Sequence, residues 1–562
     1  VATLSLKNPV NEPTLKDHVR FRADSMIRDM DCEKQDWYDI ATFTGHPRID
    51  WLIRTAKGTK RPKSRPLYDG HGTRAFRYLE SGMYSGLSSP NRPWFKFKLK
   101  DDDLNASHMV RVWLEACEQI VSNMLAGSNF YRVARANYGE LGKFGNAAGI
   151  MDENWEVGLN CTALTAGEYA IATDHLGRVD TLLRICPLTT RQMVQSFVRQ
   201  RDGSMDWSKV HDSVCIGWEN SNYNDVTEIY HLIEPNADYE EGAWGARGML
   251  WRSVKFDPRD IRKDVLLEHK GYHDKPFWVP RWKTYGSDVW GVGPGHDALP
   301  DLRELQMQAK RKGEVTDLVV KPPTQGPAID IKIRPGSHTA LASVDSGTVT
   351  PIYTAQYQAI GEVREDQAEC KRAIDEAAYA DLFMAISERE GVQPLNDLES
   401  TLRNDEKMTQ LGPVIENVNN DMLAIVVDRA FGIALRGDLL PPPPDEIQGM
   451  PIDIEFVSVL AQAQKMQGMG QTERSLAFIG AVGQYQPDVV DMVDGDALVE
   501  DYWDRSGAPA VGLRDKDTVD QIRSQRAQQQ RMQQMAAMAG PAKQGVEAAA
   551  LLNEMGQGQA AQ

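Results

Sequence analysis

Two charged segments around a short Pro-, Gly- and Ile-rich insert constrain this chain more than any other feature. In the first, residues 297–317, Pro300 and Asp301 suit an opening helical turn, and Leu302, Leu305 and Ala309 fall on one edge. Lys310, Arg311 and Lys312 lie toward its carboxyl end, where the helix dipole favours cations. In the second, residues 362–383, Val363, Cys370, Ile374 and Ala377 form an equally narrow apolar edge. The i,i+4 pairs Lys371/Asp375 and Arg372/Glu376 flank it. Between the two, the Lys-Pro-Pro run at 321–323 stops the first helix. Ile329, Ile331 and Ile333 then alternate with Asp330, Lys332 and Arg334 as in a strand, and TVTPIY, 348–353, is a second candidate strand. Edges this narrow cannot bury a helix in a monomer core. The pattern therefore predicts two helices that pack side by side and against copies of themselves.

The sequence on either side reads as α+β. MVRVWLEACEQIVSNML, 109–125, is an amphipathic helix, and a second helical stretch over 130–151 carries glycines that imply close packing or a break. CTALTAGEYAIAT and RVDTLLRI, separated by DHLG, read as a β-hairpin, and 227–233 and 248–256 as further strands. A helix over 189–198 starts at a threonine cap. The basic stretch KGTKRPKSRP, which ends at Pro66, reads as a solvated loop, with a nucleic-acid backbone contact as the minority reading. Toward the carboxyl end, 387–397 interrupts helicity, and a long helix runs to about 436. The prolines of LLPPPPDE then form a rigid break; a strand at 452–458 and helices to about 505 follow. Residues 515–562, rich in Gln, Ala and Met, are expected to be helical at first and disordered at the end.

Several function classes are excluded. No apolar run approaches the roughly 18 residues of a membrane span, and the first residues lack the basic and apolar regions of a signal peptide, so an intracellular start is expected. Cys32, Cys117, Cys161, Cys186, Cys215 and Cys370 lie far apart with no C-x-x-C pair, which reads as scattered reduced thiols and not a zinc site. The net charge of −17 argues against a generally sticky nucleic-acid surface, although a protein that lets DNA slide past gains from sparse contacts. The loop Gly291-Val292-Gly293-Pro294-Gly295 invites a nucleotide reading and fails it. It lacks the G-x-G-x-x-G spacing, and Pro294 removes a backbone donor. GKFGNAAG, 142–149, has no Ser or Thr after its lysine. Carboxylates are too common for any one pair to mark a catalytic dyad. No catalytic residue, cofactor or metal is expected.

Six motifs in order resemble the portal, or head-to-tail connector, proteins of short-tailed bacteriophages. They are ESGMYSGLSSPNRPWFKF (80–97), GPGHDALPDLRELQMQAKRKGE with VVKPPT (293–324), AYADLF (378–383), LGPVIENVNNDML (411–423), LLPPPP (439–444) and EFVSVLAQAQK (455–465). The resemblance spans roughly residues 20–465 and implies an α+β portal-protein fold closed into a ring, typically of twelve copies. Its parts would be a mixed α/β wing (1–296), stem helix 1 (297–317), a small β-containing clip (318–361) and stem helix 2 (362–384). A tunnel loop (385–397), a second wing part (398–451), a helical crown (452–505) and the Gln/Ala/Met-rich tail (506–562) would complete it. The glycines at 291–295 would hinge wing to stem. The resemblance also implies a channel for double-stranded DNA at one capsid vertex, assembly in the host cytoplasm and no membrane partner. Partners would be further copies of the chain, the terminase large subunit, tail adaptor or head-completion proteins, and the major capsid and scaffolding proteins. Basic rings facing the DNA would come from Lys310, Arg311 and Lys312 in the stem, Lys332 and Arg334 in the clip, and Arg389 in the tunnel loop. For each of these, pairing with a neighbouring carboxylate is the plainer reading. Rival readings are another structural virion component, scaffold or tail tube, and a soluble hydrolase.

Overall fold

The computed structural model describes residues 14–46, 67–101, 105, 107–154, 158–200, 202–262, 265–321, 324–326, 338–340, 350–351, 358–387, 411–444, 447, 450–457, 479, 519 and 521–532. The chain divides into two compact units, Val1–Leu104 with Val110–Gln467, and Asn105–Met109 with Gly468–Gln562. In the second, residues 521–532 form a largely exposed helix. The elements that follow lie in the first unit, save for the opening residues His108 and Met109 of one helix.

Helix α1 (Leu15–Thr44) starts at a reciprocal cap: the Thr14 hydroxyl accepts from the Asp17 N–H, and the Asp17 carboxylate accepts from the Thr14 N–H. Its buried residues Val19, Ala23, Met26, Met30, Trp37 and Ile40 recur at helical spacing. Helix α2 (His71–Leu87), strand β1 (Phe95–Leu99), helix α3 (His108–Gly127) and helix α4 (Phe130–Phe144) follow. The helix expected over 130–151 stops at Phe144 because Gly145 turns left-handed (φ 71°), and Ala148–Asn154 is strand β2.

Strand β3 (Gly158–Leu164) pairs with β2, whereas β4 (Tyr169–Thr173) pairs with β5 (Val179–Thr189). The expected hairpin around Asp174–Gly177 is therefore β4–β5. Its first arm is two strands, because a turn closed by the Glu168 N–H on the Thr165 carbonyl sends them to different sheets. After β5 the Thr189 cap holds a short helical segment to Val198, as expected. Helix α5 (Asp212–Glu219) and strands β6 (Val226–Pro235), β7 (Trp251–Phe256), β8 (Glu268–Tyr272) and β9 (Phe277–Trp278) complete this half. The sheets run β4-β5-β6-β7-β8, all antiparallel, and β3-β2-β9. Helix α1 shares a core with the larger sheet and is pinned to it at Glu234, which receives Arg252 at 2.6 Å and Arg22 at 3.2 Å.

Helix α6 (Leu299–Val320) leads to β10 (Thr324–Gly326), β11 (His338–Ala340) and β12 (Thr350–Pro351), a small sheet of order β11-β10-β12. β12 falls inside the expected strand 348–353, and the alternating Ile329–Ile333 segment lies outside the described residues. Helices α7 (Gln358–Ala377), α8 (Ala380–Ser387) and α9 (Ala424–Arg436) follow, the last entered through a π-turn at Asn419–Leu423. A second core gathers Phe76, Leu79, Met83, Leu302, Ile374 and Val426 from α2, α6, α7 and α9. Arg429 fastens α9 to the sheets: its buried guanidinium donates to the carbonyls of Met151 (2.9 Å) and Asp274 (3.2 Å) and lies over the Tyr272 ring. Strand β13 (Ile452–Phe456) pairs antiparallel with β1, so the segment assigned to the crown from 452 opens as part of the same body as β1.

Candidate functional site

Helices α6 and α7 form an antiparallel pair. Lys312 Nζ lies 3.4 Å from Gln367 Oε1, and the Cys370 thiol lies 4.0 Å from Gln308 Oε1. Each step up α6 is thus matched by a step down α7, which brings Val320 level with Gln358 where the small sheet departs. The expected edges hold at the base, with Leu302, Leu305, Cys370 and Ile374 all buried. Both helices overrun the clip segment 318–361, taking 318–320 and 358–361. The second helix, expected unbroken to 383, instead breaks at Tyr379 (φ 52°). The break turns α8 back so that Leu382 and Phe383 bury, with the Phe383 ring pressed on Gly82 of α2, where any side chain would overlap it.

The ion pairs expected along α7 are replaced by tertiary ones. Lys371 reaches Asp69 at 2.8 Å, and Asp375 lies 2.9 Å from the His71 ring. Arg372 and Glu376 stay exposed without closing a pair. Residues 68–71 form a strap across the base of both helices. Gln306 Oε1 accepts from the N–H groups of Tyr68 (2.8 Å) and Asp69 (3.1 Å), and its Nε2 donates to the Asp69 carbonyl at 2.6 Å. Burial favours the neutral form of Asp69, but bonds from Lys371 and the His71 N–H outweigh it and hold the carboxyl below its ordinary range. Burial, with Glu304 and other acidic neighbours, pushes the Cys370 thiol up. All six cysteines are unpaired.

The glycine loop is a packed seam. Gly291, Gly293 and Gly295 are buried against the end of α4; a side chain at Gly293 would come within 2.7 Å of Gly145 Cα. Asn146 locks the approach, donating to the Gly291 carbonyl (2.9 Å) and accepting from its N–H (2.7 Å). Pro294 opens a helical turn, where its missing N–H is harmless. The loop expected as a hinge is a close backbone docking point in this structure.

The three candidate cations of α6 do not share a face. Three consecutive helical residues point about 100° apart. Lys310 is exposed and 3.9 Å from Glu314, and Arg311 is exposed with no ion-pair partner among the described residues. Lys312 turns inward to Gln367. Lys332, Arg334 and Arg389 lie outside the described residues. Beyond Gln308 no residue of α6 is buried, nor is any of 361–366 on α7, and Val320 is 68% exposed. Sequence reading missed Gln306, Gln308, Gln367 and the strap. Among the described residues no helix is long and apolar enough to cross a membrane, and no cluster of His, Cys, Asp or Glu could hold a metal ion.

Residues 16–513 match the family described as bacteriophage head to tail connecting protein. The portal protein of Salmonella phage epsilon15 is 32% identical over 524 residues, covering 91% of this chain and 91% of that one. The probable portal protein of Bordetella phage BPP-1 is 33% identical over 525 residues, covering 92% of each. A solved chain from the neck of an empty gene transfer agent particle covers 82% of this chain and 98% of its own at 12% identity. Its TM-score of 0.35 is too low to carry an argument.

Proposed function

This chain belongs to the bacteriophage head-to-tail connecting family and is a phage portal protein, and from that premise we propose that it acts as one subunit of a dodecameric ring around a double-stranded DNA channel. The ring would sit at one capsid vertex as a structural part of the virion, within the major capsid shell and its scaffold. The terminase large subunit would dock on it during filling, and tail adaptor or head-completion proteins would follow. In this reading α6 and α7 are the stem, the β10–β12 insert is the clip, and the two cores at the stem's base are the wing. Residues 385–397, of which 385–387 close α8, would provide the tunnel loop, and the segment after β13 the crown.

The observation that carries the reading is the bare distal half of the helix pair. An α6 of 22 residues spans about 33 Å. Past Gln308 it has no buried residue, and its half-covered Val315, Leu318 and Val319 meet too little of the rest of the chain. Lateral packing of copies would cover that surface and align the helices around an axis. Each exposed cation then repeats as a ring. Lys310 and Arg311 are the stem candidates, with Lys332, Arg334 and Arg389 as further rungs, whereas Lys312 serves the helix pair. Sparse basic rings in an acidic protein hold DNA centred without deep wells along its path.

Negative-stain electron microscopy of the full chain over a range of concentrations tests this. Closed rings of near-twelvefold symmetry with an axial hole are expected. Particles that remain monomeric when concentrated, or that assemble without a hole, would refute it.

A further inference from the structure

The loop joining β6 to β7, residues 236–250, is a folded knob. The Asn236 side chain donates to the carbonyls of Ala246 (3.0 Å) and Met249 (2.9 Å), and the Glu240 N–H donates to the Arg247 carbonyl at 2.9 Å. Gly242 and Gly245 make the left-handed turns (φ 78° and 79°) that put Trp244 at the apex, 99% exposed. Beside it Glu240 and Glu241 are exposed, with no ion-pair partner among the described residues. Tryptophan is the side chain most enriched where binding energy concentrates, and a loop already fixed in shape loses little freedom on docking.

A second feature has the opposite charge. On α2, Arg74, Arg77 and Tyr78 are exposed at i, i+3 and i+4. On α4, Arg135 bonds Glu80 of α2 at 2.8 Å, one turn beyond Arg77. Arg74 and Arg77 have no ion-pair partner among the described residues. In a chain of net charge −17, a face with two uncompensated arginines and a tyrosine departs sharply from the average surface.

We propose that the Trp244 knob of one copy seats on the Arg74–Arg77–Tyr78 face of the next copy. The indole lies against guanidinium and phenol, and Glu240 and Glu241 pair with the arginines. Within one chain neither surface is covered by the other. Two complementary patches on different parts of one chain make a head-to-tail contact, the kind that closes into a ring. This contact rests on the ring reading above and adds to it the residues that join neighbours.

Charge reversal in the full chain tests it, with association read by sedimentation velocity and images. Arg74→Glu with Arg77→Glu, and separately Glu240→Lys with Glu241→Lys, should each raise the concentration for half-assembly at least tenfold. All four changes together should return it to within threefold of wild type. Trp244→Ala should weaken assembly without lowering the melting temperature, since the side chain touches nothing in the monomer. Variants that assemble like wild type, or single reversals that fail and are not rescued in combination, overturn the contact alone. If the Arg74/Arg77 reversal leaves rings intact but releases bound double-stranded DNA, the face is a phosphate surface and the proposal falls. A wild-type chain that never forms rings would remove the ring reading itself.

Discussion

Gln306→Leu isolates the strap at the base of the helix pair. Leucine keeps the helix propensity and roughly the volume of glutamine. What disappears is two N–H bonds from Tyr68 and Asp69, at 2.8 and 3.1 Å, and one bond to the Asp69 carbonyl at 2.6 Å. Each is worth about 1 kcal/mol net, and the groups left behind are only part-buried, so opening of the strap should become easier by about 2–3 kcal/mol. That corresponds to about a 30- to 140-fold larger opening constant. Hydrogen exchange at the Tyr68 and Asp69 amides reads this opening directly, because those are the N–H groups that donate to Gln306. Gln308→Leu is the control: its amide bonds Glu304 within α6 at 2.9 Å, and its loss should leave both amides unchanged. Exchange within threefold of wild type in Gln306→Leu would refute the reasoning and leave the Lys371–Asp69 and His71–Asp375 pairs as the whole restraint.

Gly293→Ala should lower the melting temperature by several degrees, because the new carbon meets Gly145 Cα at 2.7 Å, whereas Gly313→Ala, with nothing within 4 Å, should raise stability by about 0.5–1 kcal/mol. Equal effects of the two would restore the hinge. Burial chiefly raises the Glu118 carboxyl from 4.5 to about 7, against the pull of the Phe97 N–H it accepts at 2.7 Å. The folded state therefore holds this proton more tightly than the unfolded state, and the stability it contributes is present below about 4.5 and drains as pH rises toward 7. Glu118→Gln keeps the acceptor without the charge, so its gain in melting temperature should be clear at pH 8, about 1–2 kcal/mol after allowing for partial exposure, and small at pH 5; a pH-independent gain would contradict the assignment. In assembled rings, Arg311→Ala should lower DNA retention and flatten its salt dependence, while Lys312→Ala should instead loosen the helix pair seen by exchange along α7. The reverse pattern would place Lys312 on the DNA.

Periodicity exposed half of the helix pair's packing and hid the other half for a physical reason. Leu302, Leu305, Cys370 and Ile374 are buried where their spacing puts them, since apolar burial is what helical spacing records. Gln306, Gln308 and Gln367 are buried beside their apolar neighbours, yet a polar residue carries no periodic signal, and Gln306 finds its partners 237 and 238 residues away. Lys371 and Asp375 have the right spacing for each other, but both were drawn off by the strap, where a fixed partner outcompetes a solvent-exposed pair. The break at Tyr379 could not be read because nothing local demands a left-handed tyrosine; the pull of Phe383 into the core does.

These restraints also relocate the flexibility that the glycine loop had suggested. The base of the helix pair is held at two separate places, by the strap on Gln306 and by the seam of Gly291–Gly295 against α4. The two contacts together oppose a swing of the helix pair at its base. The glycines of the helix pair left with open space around them are Gly313 on α6 and, about one turn farther from the base, Gly361 on α7, both beyond the last buried residue of α6. Each weakens its helix by about 0.5–1 kcal/mol relative to alanine. Bending of the helix pair therefore belongs at Gly313 and beyond, so a shift in helix direction would move the small β10–β12 sheet while Lys310 and Arg311 stay with the base.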